Sequence, residues 1–145
     1  MSTINNLTRS ALTAGFVLSC ALTILPASAS ATEWIATDTD SEDNLRAFDR
    51  SRTRQIGENF IRTWKRYQLR GHAQKYEGYV YSIAEWEIDC IERRQRILAS
   101  FDYDGSGRIV NTDVWKDSES RPIPPDSRGD TEAKLICGSF FKPKK

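Results

Sequence analysis

Histidine is almost absent from this 145-residue chain, in which His72 is the single example. It lies in a polar, glycine-punctuated stretch, and no serine or cysteine stands at a spacing that indicates a nucleophile for it to activate. The glycines form no phosphate-binding loop, and the cysteines and the histidine form no zinc-binding pattern. The sequence therefore shows no motif for nucleophilic, phosphoryl-transfer or zinc chemistry, and no metal or cofactor is predicted.

Charge is absent from the apolar stretch between Ala11 and Leu25, which follows Arg9. Pro26 ends this stretch, and the alanines and serines up to Ala31 offer a small-residue cleavage site. This order is typical of a secretory signal peptide, and the apolar run is shorter than the about 20 residues that a transmembrane helix needs. We predict a signal peptide at residues 1–31 and no transmembrane segment in the mature chain.

The sequence VLSC, which ends at Cys20, loosely resembles a lipobox and offers an alternative, a lipoprotein anchored through that cysteine. The apolar run continues past Cys20 to a better cleavage site, which favours simple export. We therefore expect a periplasmic protein, or one at the cell surface or secreted. Only Cys90 and Cys137 remain after cleavage, and in an oxidising compartment they are expected to form one disulfide.

Net charge is also absent from the mature chain, because removal of Arg9 leaves 20 basic and 20 acidic residues. A neutral chain is a poor candidate for general nucleic-acid binding. The charge is nevertheless polarised, with a balance of −5 over residues 32–49 and of +7 over residues 50–75. Such a chain can bind a charged partner through one side without general adhesiveness.

A basic strip inside residues 50–75 is the candidate binding site. Arg50, Arg52 and Arg54 alternate along the chain, so a strand through them would project all three to one side. Arg62 and Trp64 follow on the next predicted strand, and arginine and tryptophan commonly carry interface energy. The predicted partner is an unidentified protein or an acidic macromolecule. The alternative is a solvated strand face that protects a sheet edge.

Period-2 patterns predict strands in the first two thirds of the mature chain, with a turn at residues 56–59 between two of them. A half-buried strand is predicted up to Cys90, with Trp86 and Ile88 on its core face. Its other face receives Glu85, Glu87 and Asp89. We expect Asp89 to pair with Arg93 or Arg96, while the type of structure at residues 91–104 stays open between helix and strand.

A C-terminal helix is predicted from Ser127, because Asp130 three residues later completes a capping-box pattern before the apolar residues that lead to Cys137. The tripeptide Arg128-Gly129-Asp130 is also one that integrins recognise, but the capping role of Asp130 explains it without a partner. The residues thus predict an α+β domain over residues 32–141, followed by a basic tail at 142–145.

Residues 102–113 match a calcium-binding loop at Asp102, Asp104, Ser106 and Asp113, with Gly107 at the turn position. The same residues suit a hairpin turn between two strands. An EF-hand needs an exit helix after Asp113, but serines and three prolines follow there. We therefore favour the hairpin.

The segments EWEIDCIERRQRIL, YDGSG-RIV and DSRGDTEAKLICG occur in an order that resembles the surface-adhesin protein E-like domain of Gram-negative bacteria. The positions that carry the resemblance are Trp34, Asp49, Gly57, Trp64, Asp89, Cys90, Arg93, Arg96, Tyr103, Asp104, Gly107, Leu135 and Cys137. The resemblance implies an antiparallel β-sheet, of about six strands, packed by the C-terminal helix.

Its functional implication is an exported, non-enzymatic binding module of the bacterial envelope. Two alternatives remain, a small periplasmic enzyme that uses aspartate and arginine side chains and a calcium-binding module that uses residues 102–113.

Overall fold

The computed structural model describes residues 31–40, 43–70 and 78–143. The sequence predictions for residues 1–30, including Cys20, for His72 and for the last two lysines of the tail lie outside these ranges. Within the ranges, no helix is long and apolar enough to cross a membrane.

One antiparallel sheet and one helix make up the described part of the chain. The strands are β1 (Trp34–Thr39), β2 (Leu45–Asp49), β3 (Arg54–Ile56), β4 (Phe60–Gln68), β5 (Tyr81–Asp89), β6 (Arg94–Tyr103), β7 (Ile109–Val114) and β8 (Arg121–Pro122). The helix, α1, spans Arg128–Phe140. Six strands follow the order β1-β2-β4-β5-β6-β7, while the short β3 and β8 pair with β4 and β6. The α+β prediction is confirmed, with two short strands beyond the expected six.

The two faces of the sheet follow from alternation along its central strands. Ile61 on β4 lies opposite Ile88 on β5, and both are fully buried against Ile136 of α1. Because successive side chains of a strand point to opposite faces, Arg62 and Trp64 project to the other side. We call the side that carries α1 the helix face and the other side the open face.

The core lies between α1 and the helix face. It consists of Phe48, Ile61, Ile88, Ile123, Ala133 and Ile136. Burial of each of these isoleucines contributes about 1.5–3 kcal/mol. A disulfide joins Cys90, directly after β5, to Cys137 on α1, with 5.7 Å between their Cα atoms. The predicted disulfide is therefore confirmed, and it attaches the helix to the sheet.

The predicted helix start is also confirmed. The Ser127 hydroxyl accepts a hydrogen bond from the Asp130 backbone N–H at 3.1 Å, and the Asp130 carboxylate accepts one from the Asp126 backbone N–H at 3.2 Å. The first of these bonds satisfies a backbone donor that a helix start would leave unpaired, and the second ties the residue before the cap to the first turn. The helix continues to Phe140, three residues past Cys137.

The segment with the calcium-loop pattern forms the hairpin between β6 and β7. The Asp104 carboxylate accepts hydrogen bonds from the backbone N–H groups of Ser106 (2.9 Å) and Arg108 (3.0 Å), and it pairs with the Arg108 guanidinium at 2.8 Å. Gly107 adopts φ 81°, which suits glycine in such a turn. The hydrogen bonds from Ser106 and Arg108 hold the pKa of Asp104 well below its usual range. The strand β7 forms the second half of this segment, and in the described residues no helix begins after Asp113 until Arg128.

The strand β7 forms one edge of the sheet, and all six of its residues are exposed. Val110 and Val114 are 52% and 63% exposed, and Asp113 is the only charged residue of the strand. The structure also decides between helix and strand for residues 91–104, which precede the hairpin. Most of them form the strand β6, and none forms a helix.

The prediction that Arg50, Arg52 and Arg54 share one strand is wrong. Arg50 to Arg52 form a 3-10 turn, and only Arg54 lies on a strand. The buried Asp49 carboxylate stabilises this turn by accepting hydrogen bonds from the Ser51 backbone N–H at 3.0 Å and the Ser51 hydroxyl at 2.6 Å. A local cap therefore overrides the alternating pattern.

The predicted pairing of Asp89 with Arg93 or Arg96 is also wrong. The Asp89 carboxylate accepts hydrogen bonds from the backbone N–H groups of Ile91 and Glu92, both at 2.9 Å, and so closes the turn between β5 and β6. Arg93 pairs with a carboxylate on α1, and Arg96 pairs with one on β5.

Candidate binding face

The open face is the half-exposed surface of the sheet, because the described helix packs on the other side. Its side chains come from β3 to β6: Arg54, Arg62, Trp64, Arg66, Tyr81, Ile83, Glu85, Glu87, Arg96, Phe101 and Tyr103. Most of them are half-buried, so each keeps part of its surface in contact with solvent.

Three of the five predicted binding residues meet on this face. Arg54 lies directly opposite Arg62 in the pairing of β3 with β4, and Trp64 follows two residues further along β4. Arg50 does not join them, since it lines a small pocket on the helix face beside α1. Arg52 pairs with the buried Asp49 carboxylate at 3.3 Å.

A buried carboxylate organises the charges of the open face. Glu87 is 6% exposed, although the sequence pattern placed it on the polar side of β5. Arg62 donates to it at 3.1 Å, and the Arg96 Nε donates to its other oxygen at 2.8 Å. Arg62 also lies 3.9 Å from Glu85. Arg62 and Arg96 are thus balanced by Glu85 and Glu87, and the surplus positive charge of the open face comes from Arg54 and Arg66.

Aromatic rings extend the face along the sheet. Trp64 lies against Phe101 with ring centroids 6.1 Å apart. Tyr81 and Tyr103, which are direct neighbours on β5 and β6, stack with centroids 4.6 Å apart. The Arg66 guanidinium lies over the Tyr81 ring at 4.3 Å, so a cation and two rings form a continuous stack.

Sequence reasoning missed the contribution of Tyr81, Phe101 and Tyr103 to this face, although it placed Arg66 in the basic strip. Each of these residues alternates along its own strand with residues of the helix face, and this alternation is the sequence pattern that could have identified it. The register between β4, β5 and β6 decides which of these residues become neighbours, and the sequence does not specify it.

Both charged residues of the integrin-type tripeptide Arg128-Gly129-Asp130 form ion pairs within the domain. Arg128 pairs with Asp38 at 3.2 Å and with Asp40 at 3.5 Å. The Asp130 carboxylate is 4% exposed and pairs with Arg93 and with Lys134. The hydrogen bond from Lys134, with that from Arg93, lowers the pKa of Asp130. These contacts give the tripeptide a structural use.

No group of three or more potential metal ligands lies together in the described ranges.

The family model for surface-adhesin protein E matches residues 34–138. A structure of Haemophilus influenzae protein E, in crystal form II, is similar with a TM-score of 0.50 and 11% sequence identity, covering 77% of this chain and 98% of that chain. At that identity the likeness concerns the fold alone. Among curated proteins, no sequence matches this chain.

Proposed function

Because this chain belongs to the surface-adhesin protein E family, we propose that it is an exported, non-enzymatic module that binds an acidic macromolecule through the open face of its sheet. The partner is a protein or another polymer with carboxylate, sulfate or phosphate groups at its surface. The domain acts in the periplasm or outside the cell, after removal of the segment that resembles a signal peptide.

The observation that carries the proposal is the combination of arginines and aromatic rings on a sheet surface that the described helix does not cover. Arg54, Arg62 and Arg66 project from adjacent strands, and Trp64 lies between the last two along β4. Tryptophan, tyrosine and arginine are enriched among the residues that dominate interface energies. A half-buried ring can contribute contact area at low entropic cost, because the sheet already holds its rotamer.

The arginines of the open face divide into two roles. Arg62 and Arg96 neutralise the buried Glu87, so their removal would leave an uncompensated charge and destabilise the domain. Arg54 is exposed, and Arg66 contacts a ring rather than a carboxylate. Arg54 and Arg66 are therefore the positions at which binding can be tested without loss of the fold.

The experiment is capture of partners by the mature domain from envelope and extracellular-matrix extracts, followed by affinity measurement with the captured partner. We expect the double variant Arg54→Gln/Arg66→Gln to bind about tenfold or more weakly, because arginines often dominate the binding energy of an interface. A tenfold loss of affinity corresponds to about 1.4 kcal/mol. Binding of the unaltered domain should weaken as salt rises, because exposed charges are screened over about 10 Å at 0.1 M.

The matched control is Arg50→Gln, which removes one exposed arginine on the helix face and should bind like the unaltered domain. If the double variant keeps both the affinity and the salt dependence, the open face is not the binding surface.

A further inference from the structure

A groove crosses the helix face beside the first turn of α1. One cavity of about 350 Å³ extends from Arg46 and Tyr67 to Trp86. A second cavity, of about 580 Å³, extends from Trp86 to Trp115 on the segment that joins β7 to β8. Trp86, Gln95 and Ile97 line both cavities, so the two are parts of one groove. Volumes of this size are typical of ligand sites.

Arg46 gives one end of the groove a positive charge. Its guanidinium lies over the Tyr67 ring at 4.9 Å, and its Nε is buried without a hydrogen-bond partner in the described part of the chain. Because the Nε has almost no surface open to solvent, an anion in the groove would meet the terminal nitrogens of the guanidinium, which bind carboxylates and sulfates with paired hydrogen bonds.

Arg66 adds a second guanidinium to this part of the groove, and the other charged groups there already have partners. Lys65 pairs with Glu132 at 2.7 Å, and Asp102 accepts a hydrogen bond from Asn111 at 3.1 Å. The hydroxyl-bearing Ser82 and Ser100 also line this part.

The floor and far end of the groove are apolar and aromatic. Trp86 and Ile97 form the floor, and Trp115, which is 38% exposed, stands at the far end with Pro122. Arg121 stands beside them, and Ser118 and Glu119 complete the lining. Flat rings flanked by polar groups suit a ligand whose own rings have one apolar face and hydroxyl groups at the edge.

We propose that this groove binds an acidic oligosaccharide. A carboxylate of one sugar pairs with Arg46, and the rings that follow pass over Ile97 to lie on Trp115, with the Gln95 amide nitrogen and the serines available to the hydroxyl groups. The Lys65 ammonium already lies over the Trp86 ring at 4.7 Å and donates to the Gln95 oxygen at 3.3 Å. Arg46 and Arg121 lie on β2 and β8, which are separated by β4, β5 and β6. Four strand spacings of about 4.8 Å require a ligand of several rings rather than one. This site lies mainly on the helix face, and it shares Arg66 and Arg96 with the open face.

The test is titration of the mature domain with a galacturonic acid tetrasaccharide, followed by tryptophan fluorescence and calorimetry. We expect saturable binding that maltotetraose, which has the same number of rings but no carboxylates, does not reproduce. We expect Arg46→Gln to weaken binding at least tenfold and Arg46→Lys to weaken it less. Trp115→Ala should also weaken binding, and its exposed side chain makes unfolding of this variant easy to exclude by thermal melting.

The matched control is again Arg50→Gln, which should bind the tetrasaccharide like the unaltered domain. Tetraglutamate carries comparable charge without sugar rings and should not compete. The proposal is overturned by absence of saturable binding at millimolar concentration, by equal binding of tetraglutamate, or by unchanged affinity in both Arg46→Gln and Trp115→Ala. Arg54→Gln, which alters the open face outside both cavity linings, should leave this affinity unchanged, which separates the result from that of the open face.

Discussion

Lys65 on β4 and Glu132 on α1 meet across the helix–sheet interface, with the Lys65 Nζ 2.7 Å from the Glu132 Oε2. Both side chains are nearly buried, at 11% and 7% exposed, and the ammonium group lies 4.7 Å from the centre of the Trp86 ring. Burial lowers the pKa of Lys65, while the negative charge of Glu132 opposes that shift. The pair is thus a charged contact between β4 and α1 beside the apolar packing of Ile61 with Ala133 and Ile136.

Removal of one member of this pair should cost more than removal of both. Lys65→Met leaves the Glu132 carboxylate buried without its cation, so we expect a loss of about 3–5 kcal/mol in the free energy of unfolding. Lys65→Met/Glu132→Leu replaces the pair by apolar groups and should lie much closer to the unaltered domain. Urea unfolding of the four members of the double-mutant cycle measures both values. Additive losses would show that the two charges are not coupled.

The disulfide should contribute substantially to the stability of the domain. Cys90 and Cys137 are 47 positions apart, and closing a loop of that length removes on the order of 4 kcal/mol of unfolded-state entropy. We expect Cys90→Ser/Cys137→Ser to lower the free energy of unfolding by about 2–5 kcal/mol. Denaturant melts with and without reductant provide the measurement. Reduction should destabilise the unaltered domain and leave the double variant unaffected, and a reductant-insensitive melt of the oxidised domain would contradict this prediction.

Acid should weaken the start of α1 through Asp130. Its pKa is lowered in the folded state, so the unfolded chain binds more protons between the folded pKa and the unfolded value of about 3.9. The stabilisation is therefore complete above the unfolded pKa and is lost as the pH falls through the folded pKa. We expect Asp130→Asn to melt earlier than the unaltered domain at neutral pH, with a difference that disappears in strong acid.

Asp117→Asn is the control for that experiment, because Asp117 is exposed in the segment after β7. Its melting curve should follow that of the unaltered domain across the whole pH range. A constant difference between Asp130→Asn and the unaltered domain at all pH values would show that the charge of Asp130 is not the cause.

The hairpin turn should depend on Asp104 and not on calcium. Asp104→Ala removes the acceptor of two backbone N–H groups and of the Arg108 guanidinium, so we expect a melting temperature lower by a few degrees. Calcium at about 1 mM should leave the melting temperature of the unaltered domain unchanged, because only a ligand that binds the folded state raises it. A calcium-dependent rise that Asp104→Ala abolishes would contradict the hairpin interpretation.

The features that the sequence predicted are those that depend on neighbouring residues or on simple counting. The helix start at Ser127 needs a cap and an acid three residues later, and the disulfide follows from two cysteines in an exported chain. The burial of Glu87 could not be predicted in the same way. It depends on Arg62 and Arg96, which belong to two other strands and reach Glu87 only in the register that the folded sheet adopts.

The 3-10 turn at Arg50 to Arg52 was not predicted, although it depends on a neighbouring residue. There the signal was local, in the Asp49 side chain that caps the turn, but alternating arginines gave an equally good strand pattern. The burial of Asp49 decides between the two, and burial depends on the packing of the complete domain. The aromatic neighbours that β5 and β6 add to the open face could likewise be identified only from the three-dimensional arrangement.

The exposed edge strand β7 limits how this domain can evolve. Unpaired backbone groups beside exposed valines form a template on which other chains can add strands and precipitate, and natural proteins usually protect such edges with charges or prolines. Asp113 alone supplies that protection along β7. Selection at this position should therefore act on solubility at high local concentration rather than on folding, and an apolar substitution there would yield a stable domain that aggregates.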